Sequence, residues 1–467
     1  MTAMSAKNMY TELRKKQADF FATSKTLDCS FRITQLKKLR QVLQTHEKEV
    51  LEALKFDLHK PNFEAYTAEF SFVLEELNTA IKQLKKWSKP RKVKTGLLSA
   101  PAFGVIQPEP YGLSLQLSPW NYPFQLAIAP ALAALAAGNT VVLKPSEFSI
   151  KTSELLARLI NTHFDEAYFH VVLGGAETAK ALLELKWDHI FFTGSTQIGK
   201  IVAKAAAEKL TPCTLELGGK SPCIVDDTAK VKLAAKRIVW GKYMNAGQTC
   251  IAPDYVLVDS TIKEDLIFHM SNEIERLYGK NPQKSSDYGR LIHSRHVARM
   301  KSFIADSNVR IGGELDEETR FVAPTIIDNV DYNSKAMQEE IFGPVLPIIS
   351  YDRFEETHFY LKKYDKPLAF YIFSENAKRI KSLVQNYQFG GGCVNDTIMH
   401  IAEKNLPFGG VGDSGMGTYH GKFGFSTFSR EKPVMYRSNW IDVPLRYPPF
   451  KNKLSTVRKF IRLAAKI

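Results

Sequence analysis

Residues 113–147, LSLQLSPWNYPFQLAIAPALAALAAGNTVVLKPSE, hold the unit on which the fold turns. Leu113 to Leu117 alternates as a strand, and Pro123 opens a helix that runs to Ala137 and stops at Gly138. Thr140 to Leu143 is a second strand. Outward from this unit the pattern repeats: helix Lys151 to Thr162, strand Phe169 to Leu173, helix Ala176 to Glu184, strand His189 to Phe192, helix Ile198 to Leu210. Repeated strand-helix-strand units predict a parallel sheet with helices on both faces. A second alternating series from about Thr214 to Phe373 predicts a second open-sheet α/β domain. Upstream, residues 6–86 are periodic and helical, broken at Pro61, and the proline- and glycine-rich stretch 90–112 predicts an extended hairpin or arm.

Size and composition agree with this division. A chain of 467 residues exceeds a single ordinary core, and 44% hydrophobic with 24% charged residues is the make-up of a globular protein. The longest apolar run, Leu126 to Ala137, is too short to span a bilayer. The N-terminus lacks the apolar run of a secretory signal. Five cysteines, at 29, 213, 223, 250 and 393, form no Cys-x-x-Cys pair and no metal-ligand cluster. The expectation is a cytoplasmic protein with free thiols and no metal. Nearly half of the net charge of +14 lies in the tail, where Lys451, Lys453, Arg458, Lys459, Arg462 and Lys466 stand without an acidic residue. Elsewhere basic residues are interspersed with others, a solvated surface rather than a nucleic-acid footprint.

Several runs carry candidate chemistry, each with a plainer alternative. Gly194, Ser195 and Gly199 lie where a strand gives way to a helix, the geometry of a phosphate turn or of an ordinary turn. Their Gly-x-x-x-x-Gly spacing differs from the usual dinucleotide pattern. Lys144 and Glu147 follow a strand end, suited to ribose hydroxyls, or Ser146 there is a helix cap. Asn121, between Pro119 and Pro123, is a helix cap or an oxyanion donor. Cys250, after Gly247-Gln248-Thr249, is a loop thiol that needs an activator if it is a nucleophile, and otherwise an inert packing residue. Glu216, between Leu215 and Leu217 and ahead of Gly218-Gly219, is a desolvated base or a solvent-facing edge residue. Glu340 and Phe342 are sugar and ring contacts or members of a turn.

Taken in order, Pro-Trp-Asn at 119–121, Lys-Pro-Ser-Glu at 144–147, Phe-Thr-Gly-Ser-x-x-x-Gly at 192–199, Glu-Leu-Gly-Gly-Lys at 216–220, Gly-Gln-Thr-Cys at 247–250 and Glu-Glu-Ile-Phe-Gly-Pro at 339–344 resemble the aldehyde dehydrogenase superfamily. The run Leu406 to Lys422 and Arg446-Tyr447-Pro448-Pro449 resemble its class 3 branch, the fatty and aromatic aldehyde dehydrogenases. The resemblance implies a Rossmann-like NAD-binding domain in 1–210 with an oligomerisation arm at 90–112, a catalytic domain in 211–390, a bridging oligomerisation segment in 391–445, and a basic amphipathic tail in 446–467. It further implies NAD(P)-dependent oxidation of an apolar aldehyde to the acid. Cys250 would be the nucleophile, Glu216 the base for water, and Asn121 with the Cys250 amide the oxyanion donors. Lys144, Glu147, Gly194, Ser195, Gly199, Glu340 and Phe342 would hold the coenzyme, and Tyr122 and Trp240 would wall the substrate funnel. Glu147 favours NAD over NADP, and class 3 relatives favour dimers.

The tail departs from the hydrophobic anchor of the fatty aldehyde members. Leu454, Val457, Ile461 and Ala464 follow helical spacing, while Arg458, Arg462 and Lys466 form a row of like charges. It either touches anionic membrane or covers a neighbouring surface. Two other functions compete with the main one. A CoA-acylating dehydrogenase would not need Glu216, and a non-catalytic protein of this fold would not need Cys250, Glu216 and Asn121 together.

Overall fold

The computed structural model describes residues 6–96, 99–305 and 307–464. The sequence-predicted N-terminal segment 1–5, arm residues 97–98 and tail residues 465–467 lie outside the described residues.

Two open, mainly parallel sheets carry the molecule. The first has six strands in the order Gly415–Met416, Cys213–Glu216, His189–Thr193, Leu113–Leu117, Thr140–Lys144, Phe169–Val171, with only Gly415–Met416 antiparallel. Leu113–Leu117, Thr140–Lys144 and His189–Thr193 are buried at every position, as strands covered on both faces must be. The helix Gln125–Ala137 is also buried throughout, and its alanines let neighbours close in. A Cβ on Gly424 would meet Ala133 at 3.1 Å, so the glycine there lets the helix Gly421–Thr427 settle against it.

Chain order reverses beside Leu113–Leu117: the next two strands extend the sheet on one side, and His189–Thr193 returns to the other. The crevice at the carboxyl ends of strands flanking such a reversal is where open α/β sheets bind ligands.

The second sheet has seven strands: Asn308–Ile311, Thr325–Asp328, Val345–Tyr351, Tyr255–Asp259, Pro222–Val225, Ala369–Phe373, Gly391–Val394. Only Asn308–Ile311 runs antiparallel. A third, antiparallel sheet joins Arg91–Val93, Ala102–Pro110 and Ser429–Arg437.

The predicted boundaries at 210 and 390 cut across these sheets. Cys213–Glu216, expected to begin the second series, pairs with His189–Thr193 in the first, and Gly391–Val394 pairs with Ala369–Phe373 in the second. Gly415–Met416 then crosses back to the first sheet. Pairing partners distant in sequence leave no local mark, whereas the strand pattern itself is local. All five cysteines are free thiols, and among the described residues no helix is long and apolar enough to cross a membrane.

Candidate active site

Four strands of the first sheet deliver candidate residues to one edge. Leu113–Leu117 leads to Asn121 and Tyr122, Thr140–Lys144 ends on Lys144, His189–Thr193 leads to Gly194, and Cys213–Glu216 ends on Glu216. Cys250 arrives from the other half of the molecule, in the loop between the helix Val231–Tyr243 and the strand Tyr255–Asp259.

That loop is bent by consecutive left-handed residues, Asn245 (φ 53°), Ala246 (φ 50°) and Gly247 (φ 74°). Alanine is strained in this conformation, and such strain persists only where the surroundings enforce it. They do so with hydrogen bonds. Gln248 Nε2 donates to the carbonyls of Asn245 and Arg290, both at 3.0 Å, and its Oε1 accepts from Ile292 N at 2.9 Å. The Asn245 side chain donates to the Asn121 carbonyl at 2.8 Å and to the Gln248 carbonyl at 3.2 Å.

Asn121 does not cap the helix that follows, whose first residue is Gln125 and whose N-cap is Phe124. Its Nδ2 instead donates to the Gln248 carbonyl at 3.0 Å, two residues from the thiol. Tyr122 is buried beside it, its hydroxyl 2.7 Å from Thr249 Oγ1. The two loops are therefore joined through both residues.

Glu216 is 2% exposed, and neither carboxylate oxygen has a hydrogen-bond partner. Burial holds its carboxyl well above the ordinary range. This removes the solvent-facing alternative. Cys250 is also raised, first by burial and then by the Glu340 and Glu216 carboxylates, against the weaker pull of the Cys250 and Ile251 amides. No cation ranks among these influences, so the resting thiol is protonated at neutral pH.

Glu340 lies against the Gly218-Gly219 turn. A side chain at Gly218 would collide with its carboxylate, and Gly219, at φ +136°, donates its amide to it. Burial and Asp254 push Glu340 up to about 8 despite Lys220 and Arg299. Phe342 packs edge-on to Trp120 at 5.4 Å between ring centroids, and Trp120 meets His296 at 5.1 Å. Phe342 thus lies on the Asn121 side of the site, and Glu340 on the side of the Gly218-Gly219 turn that follows Glu216.

Lys144 Nζ holds Glu147 at 2.9 Å. Burial raises the Glu147 carboxyl, but the Lys144 bond and its own backbone amide outweigh it and leave it below its ordinary range. Ser146 accepts a turn bond from Phe148 N at 3.3 Å and does not cap the helix Ile150–His163. Ser195 caps the helix Thr196–Ala207, accepting from Ile198 N at 3.5 Å, and Gly194 N is committed to the Glu216 carbonyl at 3.0 Å. The amides of Thr196 and Gln197 are the first-turn donors left for an anion.

Gly199 has a packing role that the sequence reading did not name. It is buried within the helix, and a Cβ there would press on Leu217, at 2.6 Å from Cδ2. Glycine there lets the helix close on the Leu217 side chain. Trp240 stands 37% exposed on the helix that leads to Cys250.

Sequence reasoning missed a support beneath these loops. Lys60 and Glu69 form an ion pair with both side chains fully buried. Lys60 Nζ donates to the Asn121 carbonyl at 3.3 Å, and Glu69 accepts from Phe124 N and Gln125 N at 2.9 and 3.1 Å. The two residues sit in the stretch read only as helical, with no local signal that distinguishes them from surface charges.

Residues 2–434 match the sequence profile of the aldehyde dehydrogenase family. The chain is 46% identical to 4,4'-diaponeurosporen-aldehyde dehydrogenase of Staphylococcus aureus, over 95% of this chain and 97% of that one. It is 44% identical to aldehyde dehydrogenase family 3 member A2 of Macaca fascicularis, over 93% and 90%. The substrate-bound structure of Staphylococcus aureus AldH superposes with a TM-score of 0.95 at 44% identity, covering 97% of this chain and 99% of that one. With the strand-end motifs and the thiol loop brought to one cleft, these matches establish that the chain belongs to the aldehyde dehydrogenase family, on its class 3 branch, and is an enzyme of that family.

Proposed function

We propose that the protein oxidises apolar aldehydes, of fatty or aromatic kind, to carboxylic acids, with Cys250 as nucleophile and water as acyl acceptor. The observation that carries this is the meeting of Cys250, Glu216 and Asn121 from three separate elements around one buried cleft. Cys250 Sγ attacks the aldehyde carbon, its proton passing to Glu216, and the new oxyanion accepts from Asn121 Nδ2 and the Cys250 amide. Asn121 Nδ2 carries two hydrogens, so it can keep the Gln248 carbonyl as one partner and give the other to the oxyanion. The nicotinamide coenzyme, when bound, supplies the hydride acceptor. Glu216 releases the thiol proton to solvent, then draws a proton from water as it attacks the Cys250 thioester and returns it to the departing sulfur, so that the acid leaves with the thiol restored.

The residues fit such a coenzyme. The Thr196 and Gln197 amides would hold its phosphates, Glu147 beside Lys144 the adenosine ribose, and Glu340 and Phe342 the nicotinamide ribose. An ionised Glu147 favours NAD, with NADP as the weaker alternative. Apolar substrates suit the Tyr122 and Trp240 rings, and a relative at 46% identity is named for 4,4'-diaponeurosporen-aldehyde.

Unpaired thiols support a reducing cytosol. The outer edge of Ser429–Arg437, unpaired among the described residues and with Val434, Met435 and Tyr436 exposed, supports a homodimer. The tail helix Leu454–Ala464, with Leu454 and Ile461 exposed among basic residues, supports peripheral contact with anionic membrane.

The test is Glu216→Gln incubated with coenzyme and a long-chain aldehyde, read by intact-protein mass spectrometry alongside coenzyme reduction. Slowed formation of reduced coenzyme, up to one equivalent, and an acyl adduct on Cys250 that persists are expected, since the variant lacks both the acceptor for the thiol proton and the base for water. Full turnover by the variant would overturn Glu216 as the base, and an acyl-CoA product from the wild type given CoA would favour the acylating alternative.

A further inference from the structure

The Lys60–Glu69 pair is the one ion pair among the described residues with both side chains wholly shut off from solvent, and its remaining hydrogen bonds all go to the Asn121 loop and the helix after it. Burying two charges costs several kcal/mol per ion before their attraction is counted, so such a pair is a poor way to stabilise a fold. Its partners indicate another use.

The helix Gln125–Ala137 is buried from end to end, so water cannot satisfy its first amides. Glu69 does so, binding Phe124 N and Gln125 N where the helix dipole favours an anion. A buried anion needs a cation, and Lys60 provides it. The ammonium lies 4.1 Å from the centre of the Tyr122 ring and also donates to the Asn121 carbonyl. That carbonyl is gripped a second time by Asn245, from the loop that carries Cys250.

The chain is shaped to make this reach. Pro61 interrupts the helices, Asn62–Ala65 resumes, and Tyr66–Phe70 widens into a π-helical turn that holds Glu69. Such turns insert one residue into a helix and re-aim the side chains around it. Glu64, from the same stretch, lies near the backbone amide of Asn245. Three charged residues of 60–69 thus act on the two loops that meet at the thiol.

We infer that Lys60 and Glu69 are positioning residues for oxidation: they hold the Asn121 backbone so that its side-chain amide is set for the oxyanion on Cys250. This rests on the role proposed for Asn121 and adds what places it.

The experiment compares wild type with Lys60→Met, the double variant Lys60→Met/Glu69→Gln, Asn121→Ala, and Lys60→Met in the Asn121→Ala background. Thermal unfolding, kcat and KM for a soluble aldehyde are measured on the full chain. Lys60→Met leaves Glu69 without its cation, so a lowered Tm is expected. The double variant removes both charges and should regain much of that Tm, since the glutamine side chain can still accept an amide. Its kcat should nevertheless stay about 10- to 100-fold low with KM little changed, the scale of loss from a misplaced catalytic group. In the Asn121→Ala background, Lys60→Met should lower kcat no further. Wild-type kcat in the double variant, or an undiminished Lys60→Met effect without the Asn121 side chain, would overturn the inference. An unchanged kcat in Asn121→Ala alone would instead overturn the role given to Asn121 itself.

Discussion

Cys250 and Glu216 are both held in their neutral forms by burial, and each carboxylate near the thiol raises it further. In the proposed reaction a proton therefore moves from sulfur to carboxylate, rather than a thiolate standing ready. Both steps assigned to Glu216 need its ionised form, so kcat should still be rising with pH well above the ordinary carboxylate range, and a pH-rate profile on a soluble aldehyde checks it. A profile flat from pH 6 to 9 would speak against this pair. Glu64 supplies a stability counterpart. Burial pushes its carboxyl up to about 7, against the pull of Lys60. An acid raised on folding binds protons more tightly in the native state. Its destabilising share is therefore absent below the unfolded value near 4.5 and grows as pH rises to about 7. Glu64→Gln should accordingly raise Tm over wild type at pH 8 and lose that advantage near pH 4, as calorimetry at the two pH values would show.

At the scale of elements, the strand ends act as a ruler. Successive strands of the first sheet bring Asn121, Lys144, Gly194 and Glu216 to one edge because parallel strands all point the same way. This much was legible, since each motif follows a local strand pattern. The packing of Gly199 on Leu217 was not legible, because close packing and phosphate approach call for the same residue and the neighbour lies 18 positions away. The Lys144–Glu147 pair yields an element-scale prediction. Glu147→Gln removes the charge that opposes a 2′-phosphate, so kcat/KM for NADP should rise relative to NAD by about tenfold or more, the worth of one modest charge contact. Steady-state kinetics with both coenzymes decide it, and an unchanged ratio would place the ribose elsewhere.

Across the whole molecule, the active site is an interface between two sheets whose strands interleave in sequence beyond residue 210. The tail stands apart from both. Trp440 is 97% exposed, and Ile441, Tyr447, Phe450, Leu454 and Ile461 are exposed along the way to the helix end, interspersed with basic residues. The rest of the chain remains basic without the tail, which favours an anionic lipid surface over the flank of a second copy. Full-length protein should co-sediment with vesicles containing phosphatidylglycerol and release in high salt, whereas a chain ending at Pro449 should stay in solution with its activity on soluble aldehydes kept. Equal binding by the two would end the membrane assignment.

The sequence by itself determined the strand-helix alternation, the order of the motifs and hence the family, because periodicity, proline and glycine placement and short-range spacing are properties of neighbouring residues. Only the tertiary structure decided which strands share a sheet, that Asn121 bonds to the thiol loop rather than capping its helix, and that Lys60 and Glu69 lie buried beneath it. Those facts depend on desolvation and on contacts between residues dozens to hundreds of positions apart, and nothing in a local stretch of chain distinguishes a lysine bound for water from one that will be sealed against a carbonyl.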